Sequence, residues 1–247
     1  PKKSRSFRVF SRPEDMASEI ARCWCELAMQ AANSKSPLSV VVSGGRTDPL
    51  VYSGTTAIEW KDQIPWEWVH IFWADERCVP PEHEESNYKV VSHSLLNHIT
   101  IPPENIHRIR GEENPNEESM RYAKEIQEHQ KLRKGKANLF DWVFLGMGED
   151  GHTASLFPGG NLFQSQKICA VARHPQTSQA RVTLTPMAIR QSNRITYHVI
   201  GRKKARTVSR LFAQPSNGRG KYPAAKISGE WFLDNEAASN LNLQKKT

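Results

Sequence analysis

The sequence lacks long apolar runs and a linker rich in proline, glycine or serine. No stretch approaches the roughly 20 apolar residues of a membrane span, so we expect no membrane contact. Residues 1–8 are basic, but no apolar segment follows them, so we expect a frayed tail and not a signal peptide. The absence of a linker favours a single domain over residues 1–247.

Cysteine is scarce as well. The four cysteines are Cys23, Cys25, Cys78 and Cys169, and the first two enclose a single residue. Cysteine pairs in redox motifs and zinc sites have two residues between them, so Cys23 and Cys25 fit neither kind of site. We expect four free thiols in a reducing compartment, which predicts a cytoplasmic protein.

Positive charge predominates, but no dense block of lysine and arginine interleaves with aromatic residues. The formal net charge of +8 favours anionic ligands, nucleic acid or sugar phosphates alike. Because the basic residues are scattered, nucleic acid is not expected as a partner, although the charge alone leaves it open.

Several signatures of catalytic and binding sites are missing. The chain has no GxxxxGK[ST] phosphate loop, no GxSxG elbow for a serine nucleophile and no HExxH metal motif. His93 and His98 are five residues apart, which misses one helix face. We therefore expect surface or structural histidines outside the motif around His152, and no metal site.

Strands alternate with helices along the chain. Apolar runs predict strands at residues 38–42, 69–73, 140–145, 168–172, 181–184, 195–200 and 230–233. Helical periodicity predicts helices at residues 16–31, 87–96, 117–133 and 202–212. This alternation predicts an α/β fold with a mostly parallel sheet and helices on both faces.

Three turns directly follow predicted strands, at residues 43–47, 75–77 and 146–159. In a parallel sheet such turns lie along one edge, so their residues can converge on one site. The first turn offers backbone N–H groups at Gly44 and Gly45 to an anion. The candidate anion ligands in this turn are Ser43, Gly44, Gly45, Arg46 and Thr47. An ordinary strand-to-helix turn is the alternative.

The second turn contains Asp75, Glu76 and Arg77 directly after a strand of isoleucine and aromatic residues. A solvated charge cluster is the alternative explanation. At the end of a buried strand, however, three ionisable groups must be paired or functional.

The third turn holds Asp150 and His152 two residues apart between glycines, with a helix-prone segment after them. Histidine titrates near neutral pH, so it can take and return a proton. Residues 146–151 also match GxGxxG, but the acidic pair Glu149 and Asp150 would repel a pyrophosphate. No acidic residue stands about 20 positions on to bind a ribose, so a dinucleotide site is not expected.

Two basic residues complete the candidate site. Arg181 begins a predicted strand, and Lys204 stands where a strand passes into a helix. A lysine at a helix N-terminus is unfavourable against the macrodipole unless an anion is present. Phosphate binding is therefore one explanation, and a plain solvated lysine is the other.

Together these motifs resemble the family of 6-phosphogluconolactonases, and the resemblance covers most of the chain. It rests on Ser43-Gly44-Gly45, on Phe72-Trp73-Ala74-Asp75-Glu76-Arg77, on Ser86-Asn87-Tyr88, on the specific run from Asp150 through Gly159, on Arg181-Val182-Thr183-Leu184-Thr185 and on Gly201-Arg202-Lys203-Lys204-Ala205. The resemblance implies a three-layer α/β fold with a parallel sheet. It also implies hydrolysis of 6-phospho-D-glucono-1,5-lactone without a metal or organic cofactor.

The resemblance further implies roles for individual residues. His152 would be the general base, helped by Asp150, Arg77 and Asp75. The phosphate would lie on the first turn, Arg181 and Lys204. The family usually has Ser-Gly-Gly-Ser-Thr-Pro at the first turn, whereas this chain has Arg46 and an inserted Asp48. Arg46 would add to phosphate binding, and Asp48 would oppose it.

Glucosamine-6-phosphate deaminases belong to the same superfamily and are the alternative enzyme class. Their motif has a glutamate just before the proline, where this chain has Phe157, and usually a tyrosine where it has Arg77. Both differences favour simple hydrolysis. A non-catalytic sugar-phosphate sensor and a basic nucleic-acid binder are the alternatives outside enzymes. The sequence does not determine the oligomeric state, and a monomer is compatible with it.

Overall fold

The computed structural model describes residues 6–133, 135–214 and 220–241. The strands are β1 (Phe7–Phe10), β2 (Leu38–Val42), β3 (Val69–Trp73), β4 (Asp75–Arg77), β5 (Ile106–His107), β6 (Phe140–Leu145), β7 (Cys169–Arg173), β8 (Ala180–Leu184), β9 (Ser192–Val199) and β10 (Glu230–Asp234). The α-helices are α1 (Pro13–Ser34), α2 (Asp48–Thr56), α3 (Ile58–Lys61), α4 (Asn87–Ser94), α5 (Pro115–Leu132), α6 (Pro186–Arg190), α7 (Ala205–Phe212) and α8 (Asn235–Ala238).

The main sheet has seven strands among the described residues, in the order β1-β10-β9-β6-β2-β3-β5. Every neighbouring pair is parallel. All residues of the central strands β2 and β6 are buried. Central strands of a parallel sheet are covered on both faces, which explains their near-continuous apolar sequences. The predicted, mostly parallel α/β fold is confirmed.

Helices cover both faces of this sheet. Trp24 of α1 packs against Trp142 of β6, and His129 of α5 packs against Phe72 of β3. The register aligns Val40 with Trp142 on one side and with Ile71 on the other. Because side chains alternate along a strand, Phe72 points to the face opposite Trp142. Helices α1 and α5 therefore form the two outer layers.

A second sheet was not predicted from the sequence. Strands β4, β8 and β7 pair antiparallel, apart from the main sheet. Residues 75–77 are thus a short strand and not a turn, and the predicted strands at 168–172 and 181–184 belong to this sheet. Local periodicity specifies a strand but not its partner, which explains the difference.

Two local predictions are wrong. Phe7 and Arg8 are not a frayed tail, because they lie in β1 and pair with Trp231 and Phe232 of β10. Residues 1–5 of the predicted tail lie outside the described ranges. No α-helix follows His152 within residues 153–165, where the chain bends and then forms a short 3₁₀ helix, Leu162–Gln164. Pro158 and the positive φ of 79° at Gly159 are incompatible with a continuous helix there.

The thiols agree with the sequence analysis. Cys23, Cys25, Cys78 and Cys169 are all free. Within the described ranges, no helix is both long and apolar enough to cross a membrane.

Candidate active site

Four segments of the candidate site follow neighbouring strands of the main sheet. Residues 43–47 follow β2, residues 75–77 follow β3, residues 146–159 follow β6 and residues 201–204 follow β9. These strands are parallel and adjacent in the order β9-β6-β2-β3. Their carboxyl ends meet at one edge, as the sequence analysis expected.

The central feature of this edge is a hydrogen-bonded pair, His152 and Asp150. The imidazole Nδ1 lies 2.6 Å from Asp150 Oδ1, which also accepts the His152 backbone N–H at 3.1 Å. Burial raises the pKa of Asp150, but hydrogen bonding to His152 outweighs it and the net pKa is lowered. An ionised carboxylate only accepts, so Nδ1 holds the proton and Nε2 keeps its lone pair.

The glycine turn holds this pair at short range. A Cβ on Gly148 would lie 2.2 Å from His152 Nδ1 and 2.6 Å from Asp150 Oδ1. Gly151 has a φ of 81°, and the ring of Tyr222 covers it. The Gly148 N–H donates to the His152 carbonyl at 2.8 Å, which closes the turn. The close contact between His152 and Asp150 therefore requires glycine at position 148, and the positive φ favours glycine at position 151.

Asp75 connects the second loop to the third. It is only 6% exposed and accepts the hydroxyl of Ser155 at 2.6 Å and the amide of Asn87 at 3.2 Å. The oxygen of the same Asn87 amide accepts a hydrogen bond from the Arg77 guanidinium. Asp75 thus positions Arg77 and the third loop through its neighbours.

Arg77 and Arg181 lie opposite each other on the antiparallel strands β4 and β8. Directly opposed like charges are destabilising. Burial lowers the pKa of Arg181, Asp75 opposes that effect, and Arg77 adds to it. The buried Nε of Arg181 has no hydrogen-bond partner among the described residues. This arrangement favours an anionic ligand between strands β4 and β8 and the turn at residues 146–151.

Lys204 forms a second cationic position, together with Arg46. Burial lowers the pKa of Lys204, nearby Arg46 lowers it further, and Glu149 and Asp150 oppose the shift. Lys204 precedes α7, as predicted, so its charge lies at the positive end of a helix. An anion beside Lys204 would offset both the repulsion by Arg46 and the unfavourable interaction with the positive end of α7.

The first turn differs from expectation in its donors. The Ser43 hydroxyl donates to the carbonyl of Phe144 at 2.9 Å, and the Gly45 N–H donates to the carboxylate of Asp48. Neither donor is thus free for a ligand in this arrangement. Gly44 packs closely against Asn87, because a Cβ added to this glycine would lie only 2.5 Å from Asn87 Cα. Arg46 is exposed and Thr47 is partly exposed.

His174 is a neighbour of the site that the sequence analysis missed. Phe157 lies between it and His152, with ring centroids 5.2 and 5.1 Å away. Burial lowers the pKa of His174, and Arg181 and His152 lower it further. It stands in a segment without any motif, and only the pairing of β7 with β8 brings it close.

Residues 11–233 match the sequence model of a family described as glucosamine-6-phosphate isomerases/6-phosphogluconolactonase. A 6-phosphogluconolactonase of Haemophilus influenzae is 41% identical over 210 residues, which cover 83% of this chain and 88% of that protein. The chain belongs to the glucosamine-6-phosphate isomerase/6-phosphogluconolactonase family. The crystal structure of the devB protein is similar, with a TM-score of 0.88, 34% identity and coverage of 96% of this chain and 99% of that chain.

The family's fold also occurs in deaminases. A structure titled as a monomeric glucosamine-6-phosphate deaminase has a TM-score of 0.78 at 18% identity, covering 95% of this chain and 99% of that chain. At this identity the likeness shows the fold alone. The family fold therefore does not distinguish hydrolysis from deamination, and the side chains of the site must do so.

Phe157 is the residue beside His152 that differs from the deaminase motif. The Arg181 guanidinium lies over its ring at 5.6 Å, and the ring packs beside His152. An apolar wall here excludes the carboxylate that the deaminase motif has before its proline. Because Phe157 occupies the position next to the imidazole of His152, no second acidic side chain stands there.

Asp48, the unusual residue of the first turn, gives a prediction about stability. Burial raises its pKa to about 7, while the Gly45 N–H opposes the shift. A raised pKa means that the folded state binds the proton more tightly than the unfolded state. Stability should therefore fall as pH rises from about 4 to about 7, by on the order of 3 kcal/mol.

We expect Asp48→Asn to remove this dependence, because an amide does not ionise. Denaturant unfolding at several pH values would measure it. Asp62→Asn, at an exposed position, serves as the matched control and should follow the wild type. Parallel pH profiles for wild type and Asp48→Asn would contradict the raised pKa.

Proposed function

We propose that the chain hydrolyses 6-phospho-D-glucono-1,5-lactone to 6-phosphogluconate, a step of the oxidative pentose phosphate pathway. The observation that carries the proposal is the hydrogen bond between His152 and Asp150 at the edge of the sheet. Three half-buried cationic side chains lie at the same edge: Arg77, Arg181 and Lys204. The names of the similar proteins support the same substrate. A cytoplasmic location and the absence of nucleic-acid binding stay predictions.

In the proposed mechanism, His152 acts as a general base. Its Nε2 takes a proton from a water molecule, whose oxygen attacks the lactone carbonyl carbon. The tetrahedral intermediate then breaks its bond to the ring oxygen, and the imidazolium returns the proton to that leaving oxygen. Asp150 stabilises the imidazolium through Nδ1 and fixes the orientation of the ring.

Arg77 is proposed to offset the negative charge that develops on the carbonyl oxygen. Its guanidinium is already held by Asn87, so little reorganisation is needed during the reaction. In well-studied enzymes the loss of one such donor costs roughly 3–4 kcal/mol. A lactone is an activated ester, so these groups suffice without a metal or an organic cofactor.

The phosphate is proposed to bind to Arg181, Lys204 and Arg46 at the first turn. A phosphate dianion relieves the repulsion that these cations experience, and it supplies a partner for Arg181 Nε. The internal hydrogen bonds of Ser43 and Gly45 give those two residues the role of shaping the turn.

Lys204→Ala is expected to raise the KM for the phosphorylated lactone more than it lowers kcat, because the lysine binds a group remote from the reacting carbon. Steady-state kinetics would measure both constants. Lys203→Ala is the matched control, because Lys203 lies on the same short helix and is exposed. Equal efficiency with unphosphorylated gluconolactone would show that the anion site is wrongly assigned.

The activity itself is tested by coupling product formation to 6-phosphogluconate dehydrogenase and following the reduced nicotinamide. We expect turnover above the spontaneous hydrolysis rate, and no ammonia release from glucosamine 6-phosphate. Ammonia release would establish the deaminase alternative. Tight binding of 6-phosphogluconate without turnover would establish the sensor alternative.

A further inference from the structure

Three histidines meet in the layer between the main sheet and α5. They are His70 of β3, His107 of β5 and His129 of α5, and one nitrogen of each lies within 4.8 Å of the others. His70 stands near the amino end of β3, whereas the candidate active site begins after the carboxyl end of that strand. The cluster is therefore separate from the proposed catalytic machinery.

His129 is the unusual member of this cluster. Its side chain is nearly inaccessible, with 3% exposure, and neither ring nitrogen has a hydrogen-bond partner among the described residues. A buried polar group without a partner costs free energy comparable to a lost hydrogen bond. Its ring lies against that of His70, with the centroids 4.4 Å apart. A ligand that accepts a lone pair would give one of these two nitrogens a partner.

His107 is oriented by a carboxylate. Its Nδ1 lies 2.8 Å from Glu125 Oε1, and Arg121 holds the other oxygen of that carboxylate. A carboxylate that pairs with Arg121 accepts the Nδ1–H of His107, which leaves the lone pair of that ring on Nε2. Metal-binding histidines commonly have such a carboxylate partner.

His107 Nε2 lies 2.9 Å from His70 Nδ1, which is hydrogen-bond distance, so with the lone pair on Nε2 the Nδ1–H of His70 donates to it. A bound ion would replace this hydrogen bond, and His70 would then carry its proton on Nε2. In a tetrahedral zinc site with Zn–N distances of about 2.0–2.1 Å, the ligand nitrogens would lie about 3.3 Å apart. The His70–His107 distance is close to this spacing, and a nitrogen of His129 lies within 4.8 Å of both, so rotation of the rings can bring the three nitrogens to it.

The charges around the cluster are compatible with a cation. Arg133 and Lys136 share the single carboxylate of Asp141, at 2.7 and 3.0 Å, which offsets one of their two positive charges. Glu125 supplies negative charge on the other side.

We propose that His70, His107 and His129 bind one divalent transition-metal ion, zinc in the first place, with water as the fourth ligand. Three imidazoles suit zinc better than they suit magnesium or calcium, which prefer oxygen ligands. The ion would join α5 to β3 and β5. Its role would be structural, because the cluster lies away from the carboxyl edge of the sheet.

The test uses the full chain, freed of metal with a chelator and titrated with Zn²⁺ in a calorimeter. We expect one equivalent per chain, and Co²⁺ should give the intense visible absorption of a four-coordinate site. His70→Gln and His129→Gln should each abolish this binding. Glu125→Gln should weaken it by about 10–100-fold, because it removes the partner of His107.

Two controls locate the ion. His93→Gln changes an exposed histidine outside the cluster, and His152→Ala changes the active-site histidine; both should bind one equivalent like wild type. Unchanged binding in both His70→Gln and His129→Gln would overturn the proposal, as would the absence of wild-type binding at micromolar zinc. If His129→Gln does not fold, ring-nitrogen NMR of the wild type decides, because only bound histidines shift on addition of zinc. None of these outcomes depends on the lactonase activity.

Discussion

Replacing His152 with alanine should lower kcat by about 10²–10⁴-fold, because general-base catalysis contributes about that much. The affinity for 6-phosphogluconate should change little, since the phosphate is assigned to cations elsewhere at the sheet edge. Turnover in the coupled assay and product binding by calorimetry measure the two quantities separately. Asp150→Asn should also lower kcat, because an amide no longer fixes the tautomer of the ring.

His174 provides the matched control for this experiment. It is a partly buried imidazole on the other side of Phe157, but it has no hydrogen bond to Asp150 among the described residues. We expect His174→Ala to retain most of the turnover. If His174→Ala lost most of its turnover while His152→Ala kept wild-type turnover, His174 and not His152 would be the general base.

Gly148→Ala should lower kcat by on the order of 10²-fold while the protein still folds. The new methyl group would lie 2.2 Å from His152 Nδ1, so the imidazole must move. The side chains of His152 and Asp150 are 30% and 48% exposed, which lets them swing toward solvent without disturbing the core. A misplacement of about 1 Å in a catalytic group can cost about 10²-fold in rate.

Gly146→Ala is the matched control, because an added Cβ there meets nothing within 4 Å. Both glycines lie in the same turn, and neither has a positive φ. The two variants should therefore have similar thermal midpoints and very different kcat values. Equal kcat values would mean that the contact between Asp150 and His152 is not needed for turnover.

Much of this protein follows from local sequence. The strands at residues 38–42, 69–73 and 140–145 occur with the predicted bounds, because continuous apolar runs between turns are typical of buried parallel strands. The convergence of the loops after β2, β3 and β6 also follows from local sequence. Parallel strands must end at the same edge, so a correct parallel fold implies one shared site.

Other features depend on contacts between distant segments. The separate sheet of β4, β8 and β7 opposes Arg77 to Arg181, although more than a hundred residues separate them in the sequence. The same sheet brings His174 to the active site. Single-strand periodicity contains no information about which strand is the partner, so these contacts could not be predicted.

The sequence by itself determined the parallel α/β architecture and the motif that contains Asp150 and His152, because each is encoded by neighbouring residues. Only the tertiary structure decided that Ser43 and Gly45 use their donors internally, and that Asp75 positions its neighbours from a buried place. It alone also brought together the histidines of β3, β5 and α5. The physical reason is that hydrogen bonding and coordination depend on distances in space, and folding sets these between residues that are remote in the chain.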